Sequence, residues 1–277
     1  MNLKYEKYIV AHIDILGCKD RLKRKKSSKP LLNKLAKLYS DAKSLTETLN
    51  IGVKKGSAIE NDGFDWSDFS VGIKIFSDNI FIYLKYPEPE NYRIYITWFL
   101  KLVAAYQYTA IAKYKLLVRG AVGIGDFYSD NMFVIGPSLV ETYEAEKDYA
   151  FYPRILICKS LRADFRKQEN DEAIPLTRRD FDNNLFVDYL IYTNQRNKIA
   201  KELLQKHHYI LIESFKKAKE YEHKLKILMA IMYHNRYCIN TNEYEIIHRI
   251  GERVARMHGT TECTIDITEF LMKNSFK

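Results

Sequence analysis

No stretch of the 277 residues approaches the ~20 uninterrupted apolar positions that a membrane span needs. The opening MNLKYEKYIV carries neither the apolar segment nor the small-residue cleavage site of a secretion signal, so the expected location is the cytoplasm. Cysteine is scarce. Cys18, Cys158, Cys238 and Cys263 form no CxxC pair and no His/Cys ligand spacing, which argues against structural zinc and fits a reducing compartment. The histidines are no better arranged for metal: His207 and His208 are adjacent, hence on different helix faces, and His223, His234, His248 and His258 share no ligand spacing. Cys18 has no evident histidine partner, so nucleophilic catalysis lacks support. The glycines of RGAVGIGDF are not followed by the GxxxxGK[ST] pattern of a phosphate loop. Internal repeats and low-complexity segments are absent as well.

What is present is an ordinary globular composition. Apolar residues make up 47% and charged residues 29%, enough to build a core in one large domain or a core with an appendage. The formal charge of +9 suits either attraction of a polyanion or plain solvated surface. Lys216–Lys226, with Glu220 and Glu222 interleaved, reads as a solvated helix face. The run Lys19–Lys29 stays open between phosphate steering and surface, as it directly follows a candidate metal ligand.

Residues 6–16 read as a buried strand closed by Gly17, and Leu31–Leu49 as a helix behind Pro30, with Leu32, Leu35, Leu38, Leu45 and Leu49 at helical spacing. Residues 51–68 read as a loop, 70–77 and 79–86 as strands, and 91–114 as a long apolar helix. A glycine-weakened strand is expected over 115–125, where a backbone or ligand can approach closely. A short strand at 131–135, a helix from Gly136 to Phe151 and a strand at 153–158 follow. The first six elements give the ferredoxin-like βαββαβ order, an antiparallel sheet with helices on one face. The expected division is a core at 1–160 and a mainly helical extension at 161–277, with 162–182 irregular, a strand at 185–192, and helices at 197–221, 222–237 and 243–258.

Two aspartates stand out in this frame. Asp14 ends the first strand, and Asp78 sits with Ser77 and Asn79 where a tight hairpin turn falls. If the two strands are neighbours, both carboxylates converge and form a hard-cation site of the kind Mg²⁺ or Mn²⁺ uses together with substrate phosphates. Taken singly, Asp14 also fits a helix cap and Asp78 an ordinary turn residue. His12, two residues before Asp14 on the same strand face, reads as a supporting group or as a satisfied core histidine.

Four segments carry a resemblance: DILG at 14–17, FSD at 76–78, RGAVGIG at 119–125, and GPSLVETYEAEKDYAFYPRI at 136–155. In this order and spacing the chain resembles the class III nucleotide cyclases, and most closely the bacterial Pycsar pyrimidine cyclases of antiphage defence. The resemblance covers about residues 6–158. It implies an α+β, ferredoxin-like core, a homodimer with composite active sites, and two Mg²⁺ or Mn²⁺ ions per site held by Asp14 and Asp78, with the carbonyl of Ile15 a further ligand. The implied reaction is that of a phosphorus–oxygen lyase, a uridylate or cytidylate cyclase converting UTP, or next CTP, to a 3′,5′-cyclic mononucleotide and pyrophosphate. The product would act on a separate effector, and neither a membrane nor a nucleic acid is implied as partner. Lys74 stands where purine cyclases keep a base-reading lysine. Arg119 matches an arginine that in related cyclases contacts phosphates from across the dimer. Gly17, Cys18 and Lys19 open a helix whose free N–H groups are suited to phosphate oxygens.

The chain also departs from the purine cyclases. Their transition-state asparagine and arginine fall on Val140 and Glu144, and the acidic partner of the base-reading lysine falls on Phe133. Either Arg119, Arg154 or Lys147 supplies the missing cation, or the domain is catalytically silent and binds nucleotide or RNA through its basic surface. Arg154 also fits a structural ion pair with Glu146.

Overall fold

A computed structural model describes residues 4–23, 25–59, 69–87, 89–169, 173–193 and 198–241. The chain divides into two compact units, Met1–Tyr189 and Leu190–Lys277.

The first unit is built on one sheet. Its strands are β1 (Glu6–Ile15), β2 (Val71–Phe76), β3 (Asn79–Lys85), β4 (Val118–Ser129), β5 (Val134–Ile135), β6 (Ile155–Ile157), β7 (Thr177–Arg179) and β8 (Leu185–Val187). The spatial order is β2-β3-β1-β4-β6-β8-β7, with β5 paired to β4. Both β3 and β4 run antiparallel to β1, and β6 runs parallel to β4. The first four of these strands, with their helices, have the expected ferredoxin-like βαββαβ arrangement.

Alternation along β1 explains the layering. Ile9, Ala11 and Ile13 are sealed at 0% exposure, and their partners Leu84, Ile82 and Ile80 on β3 are equally buried. Over these positions this side of the sheet is apolar. Helices α2 (Lys25–Ile59) and α3 (Tyr92–Tyr114) pack on each other and against β2 and β4. The even-numbered side of β1 presents Tyr8, Val10, His12 and Asp14, a mixed face against which a shorter helix packs. That helix, α4 (Pro137–Tyr149), sits close because the strand beneath it has no side chains in the way. A Cβ at Gly123 would lie 3.0 Å from the Glu141 carboxylate, and one at Gly125 would lie 3.5 Å from Ser138. Between strands the fit is tighter still: a Cβ at Gly120 would fall 2.2 Å from the His12 carbonyl oxygen, so β4 needs glycine to approach β1 there.

Several boundaries differ from expectation. Helix α2 begins earlier and continues past residue 51 to Ile59, carrying Pro30, Gly52 and Gly56; a glycine in a helix interior costs only about 1 kcal/mol. Its buried stripe is Leu31, Leu35, Leu38, Ala42 and Thr46, and Leu32 is exposed. Residues 60–68 of the expected loop lie outside the described residues. Strand β4 continues beyond Gly125 because Asp126 and Phe127 still pair with Lys7 and Glu6. The span expected to be irregular contains a helix, α5 (Lys159–Gln168), and the short strand β7. Helix α5 buries Leu161 and Phe165, one turn apart on one face. The division expected between 160 and 161 falls inside the first unit, since β7 and β8 extend the sheet.

In the second unit, helices α6 (Lys198–Lys217) and α7 (Tyr221–Thr241) pack on each other. They bury Leu204, Ile210, Leu211, Ile227 and Ile231. His207 and His234 meet between them, Nδ1 to Nδ1 at 2.9 Å. The expected helix at 243–258 lies outside the described residues. Among the described residues no helix is long and apolar enough to cross a membrane.

Candidate active site

Strand pairing brings the two aspartates together. Asp14 is in register with Asn79 on β3 and with Arg119 on β4, and Asp78 is the residue directly before Asn79. Burial pushes the Asp14 carboxyl above its ordinary value; the Arg119 cation opposes this, and the negative charge of Asp78 adds to it. The two carboxylates are thus close enough for the charge of one to act on the other.

The turn that carries Asp78 is a two-residue hairpin, Phe76 pairing with Asn79 across Ser77 and Asp78. Ser77 takes a left-handed φ of 58°, a conformation that glycine usually fills in such turns. Its hydroxyl donates to Asp78 Oδ1 at 2.9 Å, and its carbonyl accepts from the Tyr39 hydroxyl at 2.6 Å. Tyr39 thus pins the turn from helix α2. Asn79 is held in turn by His12, with Nε2 and Oδ1 2.7 Å apart and the imidazole stacked on Phe81. Burial keeps His12 below its ordinary pKa, which suits a neutral ring in a structural hydrogen bond. A left-handed non-glycine residue costs roughly 1–3 kcal/mol, and such strain collects at functional positions.

The six-residue helix α1 (Cys18–Lys23) follows Gly17, whose φ of 72° requires glycine. Lys19 is exposed, while Cys18 is buried and its thiol is pushed up to about 11, first by burial and then by Asp78 and Asp14. At neutral pH that thiol stays protonated and offers no thiolate to a soft metal. The expected phosphate cradle at Gly17–Lys19 thus rests on a helix too short for a strong N-terminal dipole.

Arg119 lies against its own chain. Its Nε–H points at Asp14 Oδ2, 3.3 Å away, while Glu146 Oε1 lies 2.6 Å from the same nitrogen, off the N–H direction. Nη1 donates to the Ala150 carbonyl at 3.3 Å. Glu146 is almost sealed, and burial raises its carboxyl to about 7 against the pull of Arg119. The expected ion pair between Arg154 and Glu146 is not formed; Arg119 is the partner of Glu146. Arg154, 1% exposed, donates to Asp180, Asp182, the Tyr152 hydroxyl and the Tyr149 carbonyl. It is therefore committed to structure.

The remaining candidates lie nearer the rim. Lys74, on edge strand β2, donates to the Asn131 carbonyl at 2.9 Å. Phe133 sits just beyond that carbonyl, half-exposed against Tyr128. Val140 and Glu144 are exposed on α4 and line a shallow groove with Tyr5, Pro137 and Glu141. Lys147 is exposed on the same helix. Ile15 buries its side chain and leaves its carbonyl at the end of β1.

The donor set at Asp14 and Asp78 suits a hard cation: two carboxylates, nearby strand-end carbonyls, and a thiol kept protonated. Among the described residues no group of three or more His, Cys, Asp or Glu side chains forms a metal site, so ions here would depend on two carboxylates with backbone and substrate oxygens.

No protein-family profile matches the chain. No curated protein matches it either. Among solved structures, the crystal structure of the adenylyl cyclase CyaB from P. aeruginosa is similar at a TM-score of 0.39 and 12% identity, over 67% of this chain and 94% of that one. The fold assignment rests on the strand pairing itself.

Some contributors have little trace in the sequence. Tyr39 lies off the leucine stripe of its helix, and its proximity to Asp14 and Asp78 depends on a distant hairpin. Glu146 is one acidic residue among several in VETYEAEKD. Only the spacing from Glu146 to the helix end, which places it beside the Ala150 carbonyl, offered a signal.

Proposed function

We propose that the first unit is a nucleotide cyclase that converts UTP, or next CTP, to a 3′,5′-cyclic mononucleotide and pyrophosphate. The observation carrying this reading is the convergence of Asp14 and Asp78 through β1–β3 pairing, in a setting of oxygen donors. In the reaction the ribose 3′-hydroxyl loses its proton to solvent and its oxygen attacks the α-phosphorus. The bond from that phosphorus to the bridging oxygen breaks, and the electron pair leaves with pyrophosphate. A pair of Mg²⁺ or Mn²⁺ ions, when bound, would supply Lewis-acid activation of the hydroxyl and neutralise phosphate charge. Asp14 and Asp78 would hold the ions, with the Ile15 carbonyl as a further ligand. Arg119 provides positive charge beside them, and Lys19 attracts the phosphates from the exposed start of α1.

Lys74 reads the base. Its ammonium donates to a carbonyl now, at Asn131, and would exchange that acceptor for a carbonyl such as O4 of uracil. Phe133, in place of an acidic partner, favours a pyrimidine over a purine. The enzyme acts as a homodimer with composite sites; Phe76 and Met132, at 76% and 88% exposure, are apolar surface that a second copy would cover. The cyclic product serves as a cytoplasmic signal to a separate effector in antiphage defence.

A second reading draws on Arg154. With that guanidinium sealed by Asp180 and Asp182, the cation missing from the Glu144 position falls to Arg119 or Lys147, or the domain is silent and only binds nucleotide or RNA. Incubation of the purified protein with each of the four nucleoside triphosphates and Mn²⁺, with products identified by mass spectrometry, separates the two. A cyclic pyrimidine mononucleotide is expected. Absence of turnover, together with salt-sensitive RNA affinity, would establish the silent reading.

A further inference from the structure

Arg119 sits between two sets of acceptors. On one side is Asp14, from β1. On the other are Glu146 and the Ala150 carbonyl, both at the C-terminal end of α4, where the helix dipole favours a cation. The geometry is asymmetric. The Nε–H is directed at Asp14 across 3.3 Å, although the Glu146 oxygen is nearer, at 2.6 Å, and off that direction. A small rotation of the guanidinium would hand the hydrogen to Glu146 while Nη1 keeps its bond to Ala150.

We infer that Glu146 is a positioning residue that receives the Arg119 guanidinium when Asp14 engages a divalent ion. The inference rests on the metal-site reading above. An arginine paired with Asp14 competes directly with a metal for that carboxylate. A guanidinium released into a partly buried site without an acceptor would be costly, so metal entry needs a second anion within reach. Glu146, 4% exposed and fixed on α4, is that anion, and the Ala150 carbonyl keeps the guanidinium close throughout. The arrangement couples filling of the metal site to the orientation of an arginine that faces it.

The test is Mn²⁺ binding to the nucleotide-free full-length protein, by calorimetry and by loss of the free-ion electron paramagnetic resonance signal, at a pH above the Glu146 titration. Asp14→Asn should abolish binding. Glu146→Gln should weaken it by about tenfold, the scale of one charge-assisted hydrogen bond. Arg119→Gln should tighten it, and adding Glu146→Gln to Arg119→Gln should then change the affinity by less than about twofold. Loss of binding in Asp14→Asn with wild-type affinity in Glu146→Gln overturns this inference alone. An equal effect of Glu146→Gln with and without Arg119 also overturns it, since a bare field from the carboxylate would act in both backgrounds. Unchanged binding in Asp14→Asn removes the metal-site reading and this inference with it. Should thermal melting show Arg119→Gln or Glu146→Gln unfolded, Glu146→Asp gives the same test: it withdraws the carboxylate by one methylene and should bind with intermediate affinity, and wild-type affinity would overturn the inference.

Discussion

Arg119 and Arg154 stand side by side, at the starts of neighbouring strands β4 and β6, where the Gly120 N–H donates to the Arg154 carbonyl at 3.0 Å. Their surroundings differ. Arg154 is sealed at 1% exposure, stacks 4.5 Å over the Tyr152 ring, and is gripped by two aspartates from the β7–β8 turn. Arg119 is 23% exposed and is shared between carboxylates on two different elements. A guanidinium held through both of its terminal nitrogens, with only its Nε–H left without a partner, holds a turn in place. One shared between two partners in uneven geometry can change partner. The sequence already favours Arg119, through its resemblance to a phosphate-contacting arginine, and leaves Arg154 open to a structural ion pair; their environments differ in the same sense.

The contrast breaks first at Arg154. Arg154→Met leaves Asp180 and Asp182 without their cation and should cost about 3–5 kcal/mol, the usual effect of removing one side of a buried ion pair. Urea denaturation of the full chain measures this; a loss below about 1 kcal/mol would mean that Arg154 is no more structural than a surface arginine.

A smaller effect sharpens the other side. Burial holds the Glu146 carboxyl at about 7, well above the ordinary glutamate range. Between that range and 7 the folded protein retains a proton that the unfolded chain has lost. The stabilisation from this group is thus complete at acid pH and lost as pH rises through about 7. Glu146→Gln cannot ionise, so its melting temperature should fall less than that of the wild type between about pH 5 and about pH 8. Parallel profiles would show that Glu146 titrates as an exposed glutamate does.

Much of this site can be traced to local pattern. An apolar run ending in Asp14, two strands meeting at Ser77-Asp78, and an intervening helix suffice to order β1, β2 and β3, and that order makes the aspartates neighbours. The sequence resemblance singles out Arg119, but its attachment to Asp14 of the same chain has no sequence signal. That depends on β1–β4 register, which Gly120 permits by letting the backbones close up. Arg154 misleads for a similar reason. Its partners Asp180 and Asp182 lie in a segment without clear periodicity, whose strands β7 and β8 form only by joining the far side of the sheet. Non-local pairings of short, polar strands leave little trace in sequence. The Leu32 error is of another kind, one step of phase along a helix, decided by which neighbour the helix meets.

The central claim is that Asp14 and Asp78 act as one metal-holding pair in nucleotide chemistry. It is tested most directly by Asp14→Asn and Asp78→Asn, each compared with wild type for Mn²⁺-dependent turnover of UTP and CTP alongside urea stability. Both substitutions should lower turnover by at least about 10³-fold, roughly 4 kcal/mol of transition-state stabilisation, and leave the unfolding midpoint close to wild type. Near-normal turnover in either folded variant would contradict the assignment.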